Sequence, residues 1–261
     1  MRLETAHFAP HTSCMKQFLS LILLVAALGW PVHAQSGPSD AQSGSGGADA
    51  LPPLEEQSLT AGDPLSQAMQ DVRGYMKTVD SLRARFRQVA PDGSVMTGVL
   101  YLKRPGRVRF DYDDDTPFLV VADGEVLSFV DYEVGQVQRW PVQDTPLRLL
   151  LGRSLPLDKV TARVDLSPGG RDGAPDGQND MIALHAQDPD KPEMGRIALY
   201  FERLSDAADR SLRLVGWNVV DGQGKTTRVR LSDHRRNPTL AAALWSFDDP
   251  RGLDKRRRSR R

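Results

Sequence analysis

Apolar and polar positions change their spacing close to residue 80. Before it, an Asp63-Pro64 pair typical of a helix start is followed by an apolar stripe at helical spacing. The stripe contains Leu65, Met69, Val72, Met76 and Val79. After it, Leu82, Ala84 and Phe86 alternate with arginines, which is the spacing of a strand with one solvated face. The pattern predicts an amphipathic helix followed by a strand.

Short strand-like runs continue to residue 247, and turn signals such as Pro105-Gly106, Asp123-Gly124 and Asp221-Gly222 separate many of them. The runs are 98–104, 108–113, 118–122, 125–131, 136–140, 160–166, 181–186, 195–202, 212–220, 225–233 and 244–247. Many short antiparallel strands predict a mainly β domain, built as a barrel or a strongly curved sheet.

Two segments interrupt this strand pattern. Residues 144–156 begin with cap residues and a proline and carry Leu147, Leu149, Leu150 and Leu151, which predicts a short helix with more apolar surface than one face needs. Residues 167–180 are polar and glycine-rich, and they predict a loop.

The hairpin around Pro105-Gly106 carries a concentration of cations. A three-residue loop, 105–107, predicts that residue 104 faces 108, 102 faces 110 and 100 faces 112. Most of the cations then lie on the solvated face, but Arg104 shares its face with apolar residues. The residues alone support two interpretations equally. Either the Arg104 guanidinium is buried with hydrogen-bond acceptors nearby, or its aliphatic part packs on the apolar face while the guanidinium reaches solvent.

The N-terminal region predicts export. Lys16 precedes the apolar run 18–30, and Val32-His33-Ala34 is a small-x-small cleavage site, which is typical of a secretory signal peptide within residues 1–34. Met15 is a possible true start. Cys14, the chain's one cysteine, precedes the apolar run, so a mature chain without disulfide or lipid anchor is expected.

Composition divides the remainder into three parts. Residues 35–62 are rich in Ser, Gly, Ala and Pro and predict a flexible linker, and 63–250 is long enough for one domain. Residues 251–261 hold seven cations and one acid, which predicts a disordered basic tail that could contact anionic lipid. The body between 35 and 250 is correspondingly acidic.

The sequence lacks the residues of the common catalytic and metal sites. A mature chain keeps two histidines, His185 and His234, and no cysteine, so no metal or cofactor is expected. Residues 152–156 do not match the G-x-S-x-G pattern of a nucleophilic serine, and the glycines at 44–47 form no phosphate loop. An enzyme is not expected, and export with an acidic body argues against a nucleic-acid partner.

Six short motifs follow one another along the domain: LRARFRQ at 82–88, GVLYLKRP at 98–105, RFDY at 109–112, LVVADG at 119–124, GKTTRVRL at 224–231 and FDDP at 247–250. In this order they resemble the periplasmic outer-membrane lipoprotein carrier family (LolA-like), from about residue 65 to 250. The long linker and the basic tail depart from the family pattern, and the absence of a lipid-modified cysteine disfavours an anchored receptor.

The resemblance implies an unclosed antiparallel β-barrel with lid helices over an apolar cavity. It also implies a soluble, monomeric periplasmic chaperone that takes acylated lipoproteins from an inner-membrane ABC transporter to an outer-membrane receptor, where one is present. The strand-ending R-P motif makes Arg104 the expected latch, which bonds the lid when the cavity is empty.

The apolar positions can then be given hypothetical roles. The expected acyl-binding residues are Leu82, Phe86, Leu100, Leu102, Val108 and Phe110. The expected lid residues are Val72, Met76, Leu147, Leu150 and Leu151. The competing hypothesis for each position is plain core. A sensor module of the same fold that binds lipid or lipoprotein, and a carrier of another lipid, remain the alternative functions.

Overall fold

A computed structural model describes residues 63–113, 116–154, 161–168, 180–204 and 212–252. The predicted signal peptide and linker, and the tail beyond residue 252, lie outside the described residues.

Two α-helices lie on one side of a large sheet. Helix α1 spans Pro64–Thr78, and Asp63 caps it as predicted by accepting a hydrogen bond from the Leu65 amide at 3.1 Å. Helix α2 is one turn long, Arg148–Leu151. Three 3-10 helices complete the helical elements of the described residues, at Val142–Asp144, Pro192–Met194 and Ala242–Trp245.

The described residues form one antiparallel sheet of eleven strands. The strands are β1 Ser81–Val89, β2 Val95–Lys103, β3 Arg107–Tyr112, β4 Phe118–Asp123, β5 Val126–Asp131, β6 Gln136–Pro141, β7 Thr161–Pro168, β8 Asp180–Gln187, β9 Arg196–Arg203, β10 Leu212–Val220 and β11 Thr226–Arg236. Their order across the sheet is β6-β5-β4-β3-β2-β1-β11-β10-β9-β8-β7. Strands β6 and β7 therefore form the two open edges. The prediction of an unclosed, mainly β architecture is confirmed.

The strand predicted at 244–247 is wrong, because Ala242–Trp245 is a 3-10 helix. This segment lies against β3 and β4 instead of pairing with them. The guanidinium of Arg109 donates to the carbonyls of Leu244, at 3.4 Å, and Ser246, at 3.2 Å. The Arg109 side chain therefore occupies carbonyls of this segment that, in a β-strand, would accept hydrogen bonds from a neighbouring strand.

The predicted hairpin register is also wrong, by two residues. Lys103 pairs with Arg107 and Leu100 with Phe110, so the loop is 104–106. Gly106 has a positive φ of 76°, which suits the last position of such a loop. Because a shift of two preserves the alternation of sides, the predicted faces are nevertheless correct.

One apolar cluster occupies the concave side of the sheet, between the strands and the two helices. Alternate residues of β1, β2, β3, β8, β9, β10 and β11 enter it, and the buried side of α1 packs over β7 and β10. The helices therefore lie where a cover over the concave face is expected.

Candidate functional site

Arg104 is buried at the centre of this arrangement, with only 2 % of its surface exposed. Its Nε donates to the carbonyl of Leu150 in α2 at 3.2 Å. One terminal nitrogen donates to the carbonyl of Val79, the residue that ends α1, and the other lies 3.4 Å from the sulfur of Met76. One side chain of the β2–β3 hairpin thus joins both helices.

The surroundings of Arg104 are mostly apolar, apart from these acceptors. The guanidinium lies over the ring of Tyr75, 5.5 Å from its centre, where a cation–π contact stabilises the charge. Burial lowers the pKa of Arg104 from its ordinary value, and the nearby Tyr75 and Asp80 oppose that shift. Arginine still stays protonated at any physiological pH, so a cation is held inside an apolar core by backbone carbonyls.

Backbone bonds fasten the same hairpin to the helices. The Gly106 amide donates to the carbonyl of Leu151 at 3.0 Å, and the Arg104 amide donates to the carbonyl of Asp80 at 2.7 Å. Arg153, just after α2, forms an ion pair with Asp80 at 2.6 Å and donates to the carbonyl of Arg104 at 3.3 Å. The hairpin end and both helices therefore form one connected unit.

Asn237 holds the other side of the α1 terminus. Its side-chain oxygen accepts from the amides of Asp80 at 2.8 Å and Ser81 at 3.2 Å, and its Nδ2 donates to the carbonyl of Thr78 at 3.0 Å. Asn237 has a positive φ of 52°, a conformation that asparagine tolerates better than most residues. These bonds fix the point where α1 meets β1, next to the carbonyl that Arg104 uses.

The structure brings every residue predicted for the cavity and the lid into the same apolar cluster. The six expected acyl-binding residues are each 5 % exposed or less, and Leu100, Leu102 and Val108 are fully buried. Of the expected lid residues, Val72, Met76, Leu150 and Leu151 are buried, and Leu147 is partly buried against the cluster. Their placement is compatible with both hypotheses, a closed cavity and plain core, so their roles stay predictions.

Aromatic side chains of neighbouring strands pack against one another on the concave face. Phe86 packs edge-on against Phe110 and Tyr112, with ring centres 5.3 and 5.2 Å apart, and Phe110 packs against Trp217 at 6.1 Å. A surface cavity of about 450 Å³ lies elsewhere, between Arg109, Tyr132 and the segment 241–248. This surface cavity does not include the residues expected to bind acyl chains.

The ionisable side chains of the described part of the chain form no metal-binding cluster. No group of three or more His, Cys, Asp or Glu side chains there could hold a metal ion. His185 is buried on the side of the sheet opposite to the concave cluster, and its Nε2 lies 3.2 Å from Oδ2 of Asp165. His234 is half-buried, and its Nε2 lies 2.8 Å from the carbonyl oxygen of Leu214. Within the described ranges, no helix is long and apolar enough to cross a membrane.

Most of the chain matches a known protein family. The family model for the outer membrane lipoprotein carrier protein LolA matches residues 77–248, which is most of the chain. The chain belongs to the LolA family. LolA proteins are carriers rather than enzymes, and the predicted family is confirmed.

Individual LolA relatives are distant. The outer-membrane lipoprotein carrier protein of Legionella pneumophila (strain Lens) is 27% identical over 198 residues, covering 72% of this chain and 90% of the relative. That of Pseudomonas paraeruginosa is 29% identical over 200 residues, covering 72% and 87%. A putative outer membrane lipoprotein-sorting protein domain from Vibrio parahaemolyticus aligns with a TM-score of 0.42 at 12% identity, covering 67% of this chain and 94% of that domain.

Sequence reasoning missed several residues of this LolA site. The predicted helical stripe lacks Tyr75, although this residue lies three positions after Val72 and is buried. Asp80, Arg153 and Asn237 gave no signal, because their contacts join segments 73 to 159 residues apart or involve backbone carbonyls. The sequence signals this site through the positive charge of Arg104 on an apolar face. A buried guanidinium needs hydrogen-bond acceptors, but the sequence does not identify the groups that supply them.

Proposed function

We propose that this LolA family member is an exported periplasmic carrier that binds the acyl chains of lipoproteins on its concave face. It would receive acylated lipoproteins from an inner-membrane ABC transporter and deliver them to the outer membrane, through a receptor where one is present. The observation that carries the proposal is Arg104, a buried cation that binds carbonyls of both covering helices across an otherwise apolar face.

The chemistry of the cargo explains why a covered apolar face is needed. Exposing an acyl chain to water costs about 0.8 kcal/mol per methylene, so a sixteen-carbon chain needs shielding on the order of 12 kcal/mol. The apolar residues of β1, β2 and β3 offer a surface of suitable chemistry, and α1 and α2 are the elements that would move to expose it.

Arg104 supplies the switch in this proposal. In the empty protein its guanidinium bonds the helix carbonyls, and an incoming acyl chain would separate the helices and leave those bonds unmade. Because the cost of separating them opposes loading, the energy for loading is assigned to the transporter. Delivery then becomes favourable when the helices return to Arg104.

The experiment is cargo capture. The full chain is expressed with its own leader, the membrane-free periplasmic fraction is purified gently, and native mass spectrometry measures the bound mass. One triacylated lipoprotein per protein supports the proposal. Free phospholipid would assign a different lipid cargo, and stoichiometric binding to a regulator without transfer would assign a sensor; either result would overturn lipoprotein carriage.

A further inference from the structure

The hairpin residue Arg104 is held both from inside the protein and from its surface. Inside, its buried guanidinium bonds the carbonyls of Leu150 and Val79. At the surface, Arg153 reaches back from the end of α2: its Nη1 lies 2.6 Å from Oδ1 of Asp80, and its Nη2 donates to the carbonyl of Arg104 at 3.3 Å. Two sets of polar contacts, one inner and one outer, therefore join the same hairpin and helices.

The outer contacts are open to solvent. The side chains of Arg153 and Asp80 are 55% and 59% exposed, whereas Arg104 is 2 % exposed. An exposed ion pair is weak, is screened by salt and is open to competition from other charged groups, while buried contacts are shielded from all three effects. The Arg153–Asp80 pair is therefore the part of this junction that another molecule can reach while the helices are closed.

The two partners of this pair belong to parts of the junction that are held differently. Asp80 lies between α1 and β1, where its amide donates to the Asn237 side chain at 2.8 Å and its carbonyl accepts from the Arg104 amide at 2.7 Å. Arg153 follows Gly152, the residue that ends α2, and its side chain extends from that end to Asp80. Breaking the pair therefore leaves Asp80 in place and frees the end of α2.

Charge also makes Asp80 the residue that keeps Arg153 in position. Burial is the main cause that lowers the pKa of Arg104, and the charge of Arg153 lowers it further, whereas Asp80 raises it. The two guanidiniums therefore repel each other, and the Asp80 carboxylate offsets that repulsion. Without Asp80 as its partner, Arg153 would favour a position farther from Arg104.

We propose that Arg153 is a positioning residue for the Arg104 latch, and that an acidic segment of a partner protein loosens α2 by drawing Arg153 away from Asp80. The inference rests on the proposed function in one respect, the role of Arg104 as a latch. A carboxylate is the expected competitor because Arg153 already binds one, and a second carboxylate can replace it with the same geometry.

The surface around the pair favours an acidic partner. Lys77 lies in the last turn of α1, Lys103 ends β2, and Arg236 bonds the Thr78 hydroxyl at 2.8 Å. Among the described residues, Lys77 and Lys103 form no ion pair. Residues 155–160, which follow α2, contain one acid and one base and leave the charge balance unchanged. An acidic group is therefore attracted to this surface, and a basic group is repelled.

Hydrogen exchange in the full chain without cargo tests the positioning role. The Gly106 amide, which donates to a carbonyl of α2, reports whether the end of that helix has separated from the hairpin. We expect Arg153→Gln to accelerate its exchange about three- to tenfold, and Arg153→Lys, which keeps the charge, to restore part of the protection. The Asp80 amide, which Asn237 holds, should exchange at the parental rate in both variants.

A second exposed ion pair supplies the matched control. Arg85 and Asp113 are 41% and 47% exposed and lie 3.0 Å apart, near the opposite end of β3 from Gly106. Asp113→Asn removes an ion pair of similar exposure without touching the hairpin loop or either α-helix. It should leave the exchange rate of the Gly106 amide unaltered.

Added peptides test the acidic partner. Hexaglutamate in excess should accelerate exchange of the Gly106 amide in the parent but not in Arg153→Gln, whose exchange is already fast and whose side chain offers no charge to the peptide. Hexalysine at the same concentration should leave the parent unaltered. Vesicles of phosphatidylglycerol, which present negative charge as a lipid surface, should have less effect than hexaglutamate.

Any of three results would overturn the inference. One is parental exchange of the Gly106 amide in Arg153→Gln, and another is equal acceleration by hexaglutamate in the parent and in that variant. The third is acceleration by the vesicles but not by hexaglutamate, because it would assign the surface to a membrane. If Arg104→Leu accelerates this exchange and Arg153→Gln does not, the latch stands and this inference fails. None of these readouts depends on which cargo the protein carries.

Discussion

Substituting Arg104 by leucine removes a side chain that joins the hairpin to both helices. The carbonyls of Val79 and Leu150 lose their donor, the contact with Tyr75 is lost, and the concave face becomes wholly apolar at this point. The variant therefore tests whether Arg104 controls the opening of the helices or merely supports the fold.

Two effects of similar size oppose each other in the free energy of unfolding. Leaving two buried carbonyls without a donor costs about 1–3 kcal/mol each. Removing a buried charge in favour of a hydrophobic residue returns about 1–4 kcal/mol. The midpoints of these two ranges leave a net loss of about 1.5 kcal/mol. The variant should therefore fold, with a Tm lowered by less than about 10 °C.

The local effect should exceed the global one. Without Arg104, the Leu150 and Val79 carbonyls can recover a partner only by turning towards water, which separates α2 and the end of α1 from the hairpin. The Gly106 amide, which bonds the Leu151 carbonyl, should therefore exchange with deuterium about tenfold faster or more. Cargo release to acceptor membranes should slow, because the loaded form no longer gains the Arg104 bonds on closing.

Arg107→Leu is the matched control for this experiment. Arg107 lies in the same hairpin and is more exposed, and among the described residues its side chain bonds the Asp123 carbonyl at 3.0 Å, with no bond to either α-helix. It should leave both the Gly106 exchange rate and cargo release at parental values. Equal cargo transfer by Arg104→Leu and the parent would refute the assigned role of Arg104.

Three smaller predictions concern stability. Gly98→Ala should lower the free energy of unfolding by about 1–3 kcal/mol, because the added methyl group would meet the Asp111 carbonyl at 2.2 Å, whereas Gly74→Ala on open helix surface should raise it by about 0.5–1 kcal/mol. Asn237→Ala should lower it by about 1–3 kcal/mol and accelerate exchange of the amides that it bonds. Burial lowers the pKa of His234, so stability should fall as pH drops through the ordinary value of 6.5, and His234→Gln should flatten that dependence.

Each of these predictions has a clear contrary result. Urea unfolding in which the two glycine variants move in the same direction would contradict the steric argument. Unchanged exchange at residues 80 and 81 in Asn237→Ala would show that its bonds do not hold the α1 terminus. A parent whose stability is flat between about pH 7.5 and 5 would contradict the burial effect on His234.

The sequence predicted the sides of the sheet better than its register. Alternation alone placed Leu100, Leu102 and Phe110 on the concave face, because the two-residue period survives any even shift. Register depends on which loop residue adopts a positive φ, and three-residue loops at 104–106 and at 105–107 are both compatible with the sequence around Pro105-Gly106. The segment 244–247 was misassigned for a similar reason: its carbonyls bind Arg109, a contact over about 135 residues that no local pattern contains.

The candidate site was predictable only in part. An arginine among apolar neighbours signals a need for acceptors, and the family resemblance implies that Arg104 is a latch. The acceptors themselves are main-chain carbonyls of Val79 and Leu150, which every residue possesses, so side-chain identity gives no signal for them. Only the folded arrangement, which brings the ends of both helices to the hairpin, reveals them.

The geometry also explains how a carrier could release a cargo that is costly to expose. Opening replaces contacts between helix and sheet residues by contacts between those residues and acyl chains, and both kinds of contact are apolar, so their free energies largely cancel. What does not cancel is the polar requirement of Arg104, whose charge is satisfied by helix carbonyls in the closed form. A preference of a few kcal/mol for closure would then come from one side chain rather than from the apolar area, which bears the much larger cost of shielding the cargo. Under the proposed function, affinity and release can therefore be tuned separately, the first by the apolar residues of the concave face and the second by the bonds of Arg104.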